Sequence, residues 1–152
     1  NAFLFGCLAG SSRNVEKWLQ RFPNWNLEER TKRMGFTPLI TACSRAPCCT
    51  PTVAVLLASR ADAHAVSYCG WNALMLLSLK DESEPTAVQM LLDAGVDVNR
   101  EACPSNVKWR AILAGCRFIH GIGKSSPVVE NFARVKGATA LCMAKRKGNE
   151  EI

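Results

Sequence analysis

No stretch of the chain approaches the roughly 20 consecutive apolar residues that a membrane-spanning helix requires. The apolar opening, Ala2 to Leu8, is too short for a signal peptide and lacks its basic flank. Direct membrane insertion is therefore not expected, and the chain reads as intracellular, either soluble or peripheral in a larger complex. Histidine is nearly absent: His64 and His120 are the two, and neither falls in a metal or nucleophile motif. The eight cysteines (Cys7, Cys43, Cys48, Cys49, Cys69, Cys103, Cys116 and Cys142) lack the regular pairing of a disulfide framework. Reduced thiols acting as small buried hydrophobes are the expectation. Cys43, Cys48 and Cys49 with His64 or Cys69 make a poor zinc set, because zinc sites favour two close C-x2-C pairs.

Other chemistry is missing as well. Gly121-Ile122-Gly123-Lys124-Ser125 ends like a phosphate-binding loop, but Phe118 stands where the first glycine belongs and no apolar strand precedes it. Glu28-Glu29 and Asp81-Glu82-x-Glu84 lie in polar connectors. Acid-base carboxylates need a cleft that shifts their pKa values, so both clusters read as solvated turn charge. No catalytic, cofactor-binding or metal-binding residue is assigned.

What is present is the balance of one globular domain, 48% hydrophobic and 21% charged, with a formal net charge of +6. The charge is uneven. Residues 70–99 are acidic and residues 100–152 basic, an asymmetry that steers partner choice over a Debye length of about 8–10 Å.

Internal similarity organises the rest. Gly35-Phe36-Thr37-Pro38-Leu39, Gly70-Trp71-Asn72-Ala73-Leu74 and Gly137-Ala138-Thr139-Ala140-Leu141 recur at one and then about two periods of a repeat near 33 residues. A second block follows the first two: Val53-x-x-Leu56-Leu57, and Val88-x-x-Leu91-Leu92 running on to Gly95-Val96-Asp97-Val98-Asn99. Val15-x-x-Trp18-Leu19 is an N-terminal copy. The glycines supply a permissive turn, Thr37 and Asn72 cap a following helix, and Pro38 suits a first helical position. Short helices are predicted over roughly 38–46 and 73–80, each followed by a helix with one apolar stripe. A two-helix unit cannot bury that stripe alone, so neighbouring units must stack.

This pattern resembles ankyrin repeats, most closely in Thr37-Pro38-Leu39 and Gly95-Val96-Asp97-Val98-Asn99. The resemblance covers residues 10–99 well and 137–152 in part. It implies an all-α solenoid of helix-turn-helix units joined by short fingers, about four to five repeats in a single domain over 1–152. The units are a partial repeat 1–34, repeats 35–69 and 70–102, a divergent repeat or insertion over 103–136, and a truncated repeat 137–152. Within 103–136, helices are predicted over Val107 to Ile119 and Val128 to Val135. The family's inner-helix histidine is replaced here by Ile40, Met75 and Cys142. Both ends read as interior to a longer stack.

The resemblance also implies function by binding, through inner helices and fingers, as a scaffold or accessory subunit with no enzymatic activity. Three segments are candidate contacts. Trp25, Arg30, Lys32 and Arg33 in the first connector suit an acidic protein partner with an aromatic anchor. His64 and Tyr68 lie at the second, and Lys108, Arg110, Arg117 and Lys124 populate the irregular segment. Two alternatives are a regulatory portion of a larger enzyme or channel and, less favoured, a nucleic-acid module using Arg30, Lys32, Arg33 and Lys145-Arg146-Lys147.

Overall fold

Helices start where the sequence places their caps. In the computed structural model, which describes residues 2–46, 48–80, 84–105, 107–121 and 137–147, Thr37 is extended and its hydroxyl accepts the Ile40 amide at 3.4 Å. Asn72 does the same for Met75 at 2.8 Å, and Thr139 for Cys142 at 3.3 Å. Each satisfies one of the amides that the first helical turn leaves without a partner. Eight helices result among the described residues, with no strand: α1 (Ala2–Leu8), α2 (Ser12–Arg21), α3 (Pro38–Arg45), α4 (Thr50–Ala58), α5 (Ala73–Leu77), α6 (Pro85–Asp93), α7 (Val107–Gly121) and α8 (Ala140–Lys147). The expected helix at 73–80 is shorter, because the carbonyls of Leu76 and Leu77 are taken by Leu79 and Lys80 in a tightened last turn. α1 was not foreseen, because residues 2–8 contain no copy of the glycine block that opens α3, α5 and α8.

The helices pack in two rows. α1 lies on α3, α3 on α5 and α5 on α8; behind them α2 lies on α4 and α4 on α6. Each hairpin, α1–α2, α3–α4 and α5–α6, ties the rows together. The apolar stripes supply the seam: Val15, Val53, Leu56, Val88 and Leu91 from the outer row are buried against Phe3, Leu39, Ile40, Leu74 and Met75 from the inner row. Cys7, Cys43 and Cys49 are buried free thiols within this packing and Cys69 is a buried thiol outside it, while Cys48, Cys103 and Cys142 are exposed. Burial pushes the Cys7 thiol up to about 12 and Cys69 upward too, so both stay protonated.

Fingers connect one hairpin to the next. The first closes where Thr31 N–H donates to the Phe36 carbonyl (3.0 Å) and the Thr31 hydroxyl accepts the Phe36 amide (2.9 Å). The second closes identically between Ser67 and Trp71, at 2.8 and 2.9 Å. Neighbouring fingers join through Tyr68 N–H to the Met34 carbonyl and Ser105 N–H to the Tyr68 carbonyl. They approach closely enough that glycine is required: a Cβ on Gly35 (φ 69°) would overlap the Tyr68 ring, and one on Gly70 (φ 89°) the Cys103 backbone.

The third finger closes between Ala102 and Ala138, where Ala102 N–H donates to the Ala138 carbonyl (3.0 Å) and Gly137 N–H to the Ala102 carbonyl (3.1 Å). The stretch of sequence between these closing bonds, 103–137, is far longer than 32–35 in the first finger and 68–70 in the second. α7 spans slightly more than the predicted 107–119 and does not enter either row. The predicted helix over Val128 to Val135, Lys124 with most of the Gly121–Ser125 segment, Asp81 and Glu82, and Gly148–Ile152 lie outside the described residues. Among the described residues, no helix is long and apolar enough to cross a membrane, and no group of three His, Cys, Asp or Glu could hold a metal ion.

Candidate functional site

α1 carries no charged residue, and packing on α3 and α2 buries only Phe3 and Cys7. Its opposite side stays open, with Phe5 71% exposed. Leu4, Phe5 and Leu8 form one wall of a groove of about 670 Å³. Thr41 and Ser44 of α3 and Leu76 of α5 line it further along the inner row, and the bases of the fingers complete it with Phe36 and Trp71. The Thr41 hydroxyl, buried in this wall, has no hydrogen-bond partner among the described residues. An apolar channel with few polar points is the usual form of a binding cleft.

Lys32, Arg33 and Met34 at the tip of the first finger line this groove and also a second chamber of about 560 Å³. The second chamber is closed by Tyr68 from the next finger and by Lys108, Trp109 and Ile112 of α7. Tyr68 is held there by its main-chain bond to Met34 and by the space that Gly35 leaves for its ring. Four of the sequence candidates, Lys32, Arg33, Tyr68 and Lys108, therefore meet around one cavity, although Lys108 is far from the others in the chain.

The remaining candidates are placed elsewhere. Trp25 sits in an aromatic cluster at the end of the stack, edge-on to Trp18 (5.3 Å between centroids) and beside Phe3 and Phe22. Arg30 is committed to fold: its guanidinium donates to the carbonyls of Gly35 (3.2 Å) and Val66 (2.5 Å), bridging two fingers. His64 is exposed, its amide donating to the Asp62 carboxylate at 2.8 Å in an Asx turn. Arg110 and Arg117 line a separate depression with Cys103 and Leu113. Lys124 lies outside the described residues.

The structure corrects the reading of Glu84 as solvated turn charge. Its side chain is 9% exposed and reaches into the turn of the preceding hairpin. The carboxylate accepts the amides of Cys49 and Thr50 (2.9 and 2.8 Å), the Thr50 hydroxyl (2.8 Å) and the Lys80 ammonium. Glu84 thus caps α4 from the neighbouring unit, where Cys49 offers no cap of its own. Burial alone would raise its pKa, but the bonds from Lys80, Cys49 and Thr50 prevail and hold it down to about 2. Lys80 also donates to the Ala46 carbonyl (2.8 Å) and lies 3.7 Å from the Cys49 sulfur. Beneath it Cys43 and Cys49 share a thiol hydrogen bond, which raises Cys43 and lowers Cys49. Every strong donor and acceptor of this clasp is consumed by capping or pairing. The signal that would have found it is the repeat itself: Glu84 stands before α6 as Cys49 stands before α4.

Comparison of the chain with protein-family models finds no match, and neither does comparison with curated proteins.

Proposed function

We propose that the chain is an ankyrin-type stack that works as a protein-binding scaffold or accessory subunit, taking its partner along the inner row and the finger tips. The observation that carries this reading is the continuous groove of Leu4, Phe5, Leu8, Phe36 and Trp71, which Lys32 and Arg33 rim at the finger tip. Apolar centre and charged edge are the composition of a protein-protein contact. Two further features support the family assignment: alternating helices in two rows, and finger closures repeated at Thr31–Phe36 and Ser67–Trp71. On this reading residues 103–136 are an insertion in the third finger and not a repeat, since α8 follows α5 directly in the inner row.

The reading is non-catalytic. The described groups whose titration is displaced are the buried thiols Cys7 and Cys69 and the members of the Glu84–Lys80–Cys49–Cys43 clasp, where the displacement accompanies capping and burial. Cross-linking pull-down from the native source tests the proposal, comparing the natural chain with Phe5→Asp combined with Lys32→Ala and Arg33→Ala. Arg30 is left in place because it joins the fingers. A stoichiometric protein lost in the variant is the expected result; a partner held equally by both chains would move the interface off this groove, and recovery of nucleic acid alone would overturn the reading.

A further inference from the structure

Three cations converge on the second chamber: Lys32 and Arg33 from the first finger and Lys108 from α7. All three side chains are exposed, and none pairs with a carboxylate among the described residues. Bringing like charges together costs free energy unless something of opposite sign occupies the space between them. Tyr68, Trp109 and Ile112 add an apolar wall beside the cations, which weakens solvent screening on that side. A second observation fixes what else the ligand must carry. The chamber shares Lys32, Arg33 and Met34 with the apolar groove, so one ligand passing the finger tip meets both.

Resting on the protein-binding reading above, we infer that the chamber between the first two fingers and α7 is an anion subsite, and that the partner is a protein segment with bulky apolar side chains next to clustered carboxylates. The apolar residues lie against Phe5, Leu8 and Trp71, and the carboxylates face Lys32, Arg33 and Lys108. Arg33 can hold a carboxylate through two parallel N–H bonds, while the lysines act as point charges. The inserted segment thereby acquires a role, since it supplies the third cation and an aromatic wall. Nucleic acid is the poorer occupant: its phosphates would meet the cations, but the aliphatic part of the neighbouring wall, Leu4, Leu8 and Leu76, offers its bases no stacking surface.

Panning a random-peptide library displayed on phage tests this with the full chain, the charge-reversed variant Lys32→Glu/Arg33→Glu/Lys108→Glu, and Phe5→Asp. All four positions are exposed, and far-UV circular dichroism verifies that each variant keeps its helices. The natural chain is expected to enrich Leu or Phe followed by Asp and Glu. The charge-reversed variant should keep the apolar preference, exchange the acidic residues for Lys and Arg, and bind the original peptides at least roughly tenfold more weakly. Peptides enriched without acidic bias, or with the same bias on both proteins, would overturn the anion subsite. If those charge-indifferent peptides were still lost with Phe5→Asp, the protein-binding reading would survive alone. No enrichment on any protein, together with an empty pull-down, sinks both. A single-stranded oligonucleotide that displaces the peptides and loses its affinity in the charge-reversed variant would also overturn the inference, by assigning the subsite to phosphate.

Discussion

The two long edges of the stack treat charge in opposite ways. Along the hairpin turns, Glu84 and Lys80 are partly buried and fully engaged, tying one unit to the next through Cys49, Thr50 and Ala46. Along the finger tips, Lys32, Arg33 and Lys108 are exposed and face one another across an aromatic chamber. A charge that is buried and saturated with hydrogen bonds holds a structure together; a charge left at a rim contributes little to folding and is free to steer a partner. Substitutions on the two edges should therefore separate stability from recognition.

The largest effect is expected at Glu84. Glu84→Ala strands the Cys49 and Thr50 amides and leaves the Lys80 ammonium partly buried without its counter-charge. Breaking one side of such a pair costs about 3–5 kcal/mol, read as a lower midpoint in urea denaturation at constant slope. A loss under about 1 kcal/mol would make this edge equivalent to an ordinary surface and erase the contrast.

Acid should produce a comparable loss by another route. Glu84 titrates near 2 in the folded chain against 4.5 when free, so the unfolded chain binds the proton more readily. Its contribution is fully present above about pH 4.5 and is lost as pH falls towards 2, amounting to on the order of 3 kcal/mol. Urea midpoints between pH 6 and pH 3 should fall more steeply for the natural chain than for Glu84→Gln. Parallel profiles would show that another carboxylate carries the acid sensitivity.

How much of this was legible in the sequence follows from the range of each interaction. Thr37, Asn72 and Thr139 bond amides three residues away, so a local pattern reveals them. Gly35 and Gly70 also announced themselves, although the reason they must be glycine, the approach of Tyr68 and Cys103, belongs to the next finger. Glu84 was misread because Asp81-Glu82-Ser83-Glu84 looks locally like a solvated connector, while the amides that it caps, of Cys49 and Thr50, lie one unit upstream. Trp25 was grouped with Arg33 by chain proximity, but α1, which no glycine block announced, provides Phe3 for it to pack on. Lys108 was singled out for its charge and its place in the irregular segment; only the closure at Ala102 and Ala138 explains how α7 comes to face the first finger.

A smaller effect separates the caps of successive units. Asn72 accepts its amide at 2.8 Å and is 1% exposed, whereas the Thr37 bond is longer at 3.4 Å and Pro38 already shapes that helix start. Asn72→Ala should cost about 1–2 kcal/mol and Thr37→Ala about half as much, with urea midpoints falling in that order. The reverse order would mean that proline, and not the cap bond, sets the junction's strength.

The smallest stability change is expected on the other edge, and it decides the comparison. Lys32→Ala and Arg33→Ala remove rim charges that make no ion pair with the described residues, so folding stability should stay within about 0.5 kcal/mol of the natural chain. Partner association, measured at increasing salt, should slow in both variants and lose part of its ionic-strength dependence, because rim charges act on encounter more than on residence. If instead the urea midpoint drops as it does for Glu84→Ala, then Lys32 and Arg33 belong to the structure's own internal pairing, and the finger edge is a second clasp rather than a docking face.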